Sequence, residues 1–191
     1  MKVTIMRWSG GGLMAGALTL GVAVLLASLR LLGGYPSPLV TLPLLLGALL
    51  LMLTLPGMYA RQSQAAGWLG LGGHVLLEIG NVLLLVYAAA PLFTPASQPP
   101  GESAAAFILG IVLLLGLVLT AIATLRAAVY PRGSGILLLV AGLGFLVSFF
   151  VAEDLPPIAG FVISSVFGML LAAPLAWIGG SIWRGAGQPA K

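Results

Sequence analysis

One short stretch, "GGHVLLEIGN" (Gly72 to Asn81), holds the only histidine of the chain and one of its four acidic residues. His74, Glu78 and Asn81 are spaced i, i+4 and i+7, so on a helix they share one face. An imidazole one turn from a carboxyl group can accept, hold and pass a proton, and an amide a turn further on can orient what binds there. The flanking residues are apolar. Such a setting makes an ionised carboxylate cost at least about 2.5–3.5 kcal/mol, so Glu78 is expected either protonated or paired with His74 as imidazolium. Glu78 is the expected proton acceptor, His74 its partner and Asn81 the orienting donor.

Other chemistries lack residues. "HVLLE" is not H-E-x-x-H, and one histidine without cysteine cannot complete a zinc site. No serine has a plausible His–Asp arrangement, because Asp154 falls in a loop. The glycine-rich "LGLGGH" follows no strand, as a phosphate loop would. The expectation is a protein without cofactor or metal, and not an enzyme.

The elements that carry these residues are set by composition. The chain is 60% hydrophobic and 6% charged, against roughly 25% charged residues in soluble domains. Six apolar blocks, near 8–29, 38–59, 65–90, 104–127, 135–152 and 157–183, each suffice to cross a hydrocarbon core about 30 Å thick. The first is read as a retained span, since it exceeds the length of a signal-peptide core and lacks a cleavage signature. The expected fold is all-α: a single polytopic domain of six transmembrane helices in an antiparallel bundle. Connections are short except 91–103, a proline-rich segment expected to form an outer loop.

Basic residues set the expected orientation. Lys2, Arg7, Arg61, Arg126, Arg132, Arg184 and Lys191 fall on one side of a six-span arrangement, and Arg30 on the other. The positive-inside rule then places both termini in the cytoplasm, with Trp8, Tyr59, Tyr130 and Trp183 at the inner interface. Because the charges sit in short loops at membrane edges, a nucleic-acid partner is not expected. The expected partners are the bilayer and either other membrane subunits or further copies of the chain. No motif names a family. The Leu/Gly/Ala-rich spans resemble those of small multi-span bacterial membrane proteins, and that resemblance implies a bacterial inner membrane.

Small residues mark the expected helix contacts. Gly12 and Gly16 have GxxxG spacing, and Gly160, Ser164, Gly168, Ala172 and Ala176 recur every four residues. Pro174 is expected to free the Leu170 carbonyl and kink the last span. Two functions follow for the His74–Glu78 face. One is a site that binds or translocates a small solute or proton. The alternative is a structural or accessory subunit of a membrane complex, in which these groups bond to Thr120, Thr124, Ser148 or Ser164 and only fix helix register.

Overall fold

The computed structural model describes residues 2–32, 38–93, 104–151 and 155–185. It is all-α: α1 (Lys2–Ser28), followed by a 3-10 turn (Leu29–Leu32), α2 (Pro38–Phe93), α3 (Ala104–Ala127), α4 (Arg132–Val151) and α5 (Pro157–Gly185). Among the described residues four helices are long and apolar enough to cross a membrane, in the segments Thr4–Ser28, Val40–Ala90, Phe107–Ala127 and Pro157–Gly185. In α4 the corresponding apolar stretch, Arg132–Phe145, is shorter. The expected outer loop lies mainly outside the described residues, as do Glu102, Glu153 and Asp154.

The second helix is not one rod. Gly67 has φ 55° and ψ −150°, outside helical space. Across it, the rings of Tyr59 and His74 stack with centroids 5.0 Å apart. On a straight helix their 15-residue separation would be about 22 Å. The chain therefore folds back at this single glycine into two antiparallel arms, 38–66 and 68–93. The sequence pattern places the break at 60–64. Instead "RQSQ" is helical, because Arg and Gln are good helix formers and only glycine adopts these dihedrals without a steric penalty.

The helices pack as a closed ring in chain order, and glycine mediates each contact. A Cβ at Gly47 would lie 2.9 Å from the Leu20 backbone nitrogen, and one at Gly16 3.1 Å from that of Leu51. Gly12 meets the Thr54 side chain. The second arm of α2 meets α3 equally closely, with a Gly116 Cβ 2.7 Å from Leu77 N. Gly135 and Gly142 face Leu125 and Leu117 across α3–α4, and Gly144 faces Phe167 across α4–α5. The ring closes where α5 crosses α1: a Gly179 Cβ would lie 2.7 Å from the Gly10 carbonyl oxygen, and Gly168 meets Val24. In each interface one partner's number rises as the other's falls, so neighbours run antiparallel. Lipid is as apolar as leucine, so such backbone proximity, rather than burial from water, holds the helices together.

Of the expected contact residues, Gly12, Gly16 and Gly168 touch a neighbouring helix and Gly160 is buried. Ala172 is buried with them, while Ser164 and Ala176 are half-buried at the margin. Pro174 sits inside an unbroken α5. Pro157 opens that helix at a position whose N–H would have no helical partner. The interior is filled by large side chains, with Leu13, Met58, Leu138, Ile178 and Ile182 almost fully buried.

Candidate functional site

Eleven residues beyond Gly67, Glu78 lies about 16 Å along the second arm of α2, near the middle of its length. Its side chain is 22% exposed, and that of His74 is 15% exposed. The His74 Nε2 to Glu78 Oε1 separation is 3.9 Å, too long for a hydrogen bond. Oε1 is buried and has no hydrogen-bond partner. On its other side the imidazole stacks on Tyr59, the two ring planes 7° apart. Asn81 is buried, at 4% exposure, one turn further along the same arm.

The fold-back at Gly67 creates this arrangement. Tyr59 belongs to the first arm and His74 to the second, and only the reversal brings them together. The second arm then presses on α3 through Gly73, where a Cβ would lie 2.7 Å from Thr120 N and 2.8 Å from Thr120 Oγ1. A side chain at 73 would prise the two helices apart beside His74.

The expected polar neighbours divide. Thr120 stands against Gly73, buried, with Oγ1 unpartnered. Thr124 is buried too, but its Oγ1 donates to Gln62 Oε1 at 3.3 Å, not to the His74–Glu78 face. Ser148 is on α4, none of whose described Cα atoms comes within 8 Å of α2, and its Oγ has no partner. Ser164 is half-buried on α5, beside Ser165, whose Oγ is likewise unpartnered. No bond from these residues engages Glu78 Oε1.

A second polar cluster lies at the end of the bundle where Gly67 turns. Gln62 is 2% exposed and Tyr130 3% exposed. Tyr130 Oη donates to the Met58 carbonyl at 2.9 Å, and Arg61 Nη1 donates to the Ser181 carbonyl at 3.1 Å. Ser9 Oγ donates to the Thr54 carbonyl at 3.0 Å, joining α1 to α2. Burial raises the Tyr130 phenol above its ordinary range, opposed by the Arg61 charge, so it stays a neutral donor. These contacts turn Tyr59 and Tyr130, expected at the inner interface, toward partners within the bundle. The linker between α3 and α4 tucks Tyr130 inward, where its hydroxyl finds a carbonyl, and Tyr59 is drawn onto His74.

Sequence reasoning missed Tyr59 as a companion of the site and Gln62 as the buried partner of Thr124. Their signal was present only as position: both lie within eight residues of the glycine at which the chain reverses. Elsewhere, an open groove of about 420 Å³ lies between α1 and the first arm of α2, lined by Leu18, Thr19, Val22, Leu42, Pro43 and Leu46. It includes none of the site residues. Comparison of the chain with protein-family models, with curated proteins and with solved structures gives no significant match.

Proposed function

We propose that the chain is a six-span bacterial inner-membrane protein, both termini cytoplasmic, that binds or translocates a small solute or proton at Glu78 and His74. The six-span count draws support from the reversal at Gly67, which divides α2 into arms of about 29 and 26 residues, each long enough to cross a bilayer. Orientation draws support from Arg7, Arg61, Arg126, Arg132 and Arg184, all near the end where α1 begins and α5 finishes.

One observation carries the functional reading: Glu78 Oε1 is buried, unpartnered and 3.9 Å from His74 Nε2. A tether holds helices by completed hydrogen bonds, and a buried acceptor without a partner costs about 1–3 kcal/mol instead. Retaining a carboxyl group there makes physical sense if the group takes up and releases a proton or a polar ligand. Tyr59 holds the imidazole edge toward Glu78, and Asn81 supplies a buried amide on the same arm. The accessory-subunit reading draws instead on the groove beside Pro43, an apolar surface open to a neighbouring helix.

The test is flux. Protein reconstituted in vesicles with an internal pH dye, under an imposed potential, should conduct protons or couple them to a solute; Glu78→Gln should abolish this with the fold intact. Equal flux in both proteins would exclude Glu78 as the proton acceptor.

A further inference from the structure

All four tryptophans and five arginines of the described chain gather at one end of the bundle. Contacts tie that end together: a Gly10 Cβ would lie 2.7 Å from Trp183 N, Arg61 bonds Ser181, and Tyr130 bonds Met58. The tryptophans remain open to the surroundings, with Trp8 76%, Trp68 87%, Trp177 43% and Trp183 49% exposed. Arg7, Arg126, Arg132 and Arg184 are also exposed. Among the described residues the only ion pair is His74 with Glu78, and no described carboxylate lies within 4.0 Å of these guanidinium groups.

Two of the tryptophans are seated rather than dangling. The Trp183 ring lies against Gly11 of α1, where a Cβ would come within 2.8 Å of Cζ3, and Arg7 is one turn away. The Trp177 ring lies against Gly133 of α4, a Cβ there being 3.1 Å from Cη2 and Cζ3, and Arg132 is the adjacent residue. α5 thus sends one indole to each flanking helix, and near each indole in sequence or along the helix stands an arginine with no acidic partner among the described residues. Arg184 adds a third charge, and its Nε donates to the Gly180 carbonyl at 3.2 Å.

We infer that this end is a docking surface for anionic phospholipid headgroups, with Arg7, Arg132 and Arg184 meeting the phosphates and Trp177 and Trp183 lying at the headgroup–acyl boundary. The argument is charge complementarity at a fixed depth. Guanidinium groups match phosphate oxygens in a two-pronged geometry, and indoles prefer the membrane interface. A soluble anion would use the arginines but not the indoles, and a zwitterionic lipid the indoles but not the net charge. This inference does not depend on the role of Glu78.

Tryptophan emission reads the surface directly, because every tryptophan of the chain lies there. The full-length protein is reconstituted in vesicles of phosphatidylcholine and phosphatidylglycerol, with either lipid brominated to quench indoles. At equal mole fraction, brominated phosphatidylglycerol should quench more strongly, and raised salt should reduce the difference. Arg132→Gln and Arg184→Gln should each lower the relative affinity for the anionic lipid by about fivefold, one surface charge each. Arg132→Lys and Arg184→Lys, which keep the charge but not the two-pronged geometry, should restore part of it, which separates charge from misfolding. Soluble glycerol phosphate should not displace the effect. Equal quenching by both lipids, Gln variants matching the wild type, or displacement by glycerol phosphate would each overturn the inference.

Discussion

Replacing Gly179 with alanine, beside the same change at Gly180, isolates what a close helix crossing contributes. Both residues lie in α5 and both gain the same helical propensity from alanine, up to about 1 kcal/mol. Their surroundings differ. A Cβ at 179 would lie 2.7 Å from Gly10 O, 2.8 Å from Met14 Cγ and 2.9 Å from Met14 N, whereas one at 180 meets nothing nearer than 3.7 Å. Two of the three atoms near 179 are backbone and cannot rotate away. Reaching a normal 3.4 Å requires α1 to recede by 3.4 − 2.7 = 0.7 Å at its tightest point. Overpacking of this kind costs about 1–3 kcal/mol. Since propensity cancels between the variants, that cost is the whole expected difference between them. Thermal unfolding in detergent, followed by near-ultraviolet dichroism, should place Gly179→Ala several degrees below Gly180→Ala. Equal midpoints, or the reverse order, would refute a crossing held by backbone proximity.

Gly67→Ala should destabilise the fold by about 1–3 kcal/mol through backbone strain alone, because a Cβ there meets nothing within 4 Å. Gly72→Ala, equally open but helical, should be neutral or stabilising in the same melting assay. Tyr130→Phe should cost about 0.5–1.5 kcal/mol at neutral pH for the bond to Met58. Because burial raises that phenol above its ordinary 10.0, its contribution is complete below about pH 10 and is lost as pH rises further. Melting midpoints of wild type and Tyr130→Phe should therefore converge above pH 10. For orientation, Ser97→Cys in the cysteine-free chain should react with an impermeant thiol reagent on intact cells, and Ser63→Cys should not.

Helix content was legible because transmembrane length and apolarity are written residue by residue. The turn at Gly67 was not. One glycine among 27 reverses the chain, and nothing local separates it from the helical Gly70 or Gly73. The same limit hid the close crossing of α1 and α5. GxxxG spacing identifies Gly12 and Gly16 within one helix, but Gly10 and Gly179 become partners only once α1 and α5 are in register. At the site, helical periodicity was enough to align His74, Glu78 and Asn81. It could not place Tyr59 on His74, because that contact depends on the fold-back. Nor could it show that Thr124 bonds Gln62 rather than the Glu78 face.

The central claim is that Glu78 exchanges a proton within the bundle, and infrared spectroscopy reads this most directly. Wild type minus Glu78→Gln removes the carboxyl groups of Glu102, Glu153 and Asp154 common to both proteins, leaving the Glu78 band. In reconstituted vesicles scanned from about pH 5 to 9, a range spanning ordinary histidine titration, the account predicts that this band changes with pH. It also predicts that His74→Gln moves the pH at which the change occurs. A difference band of constant intensity across the range, with proton flux undiminished in Glu78→Gln, would contradict it and return the carboxyl group to helix packing.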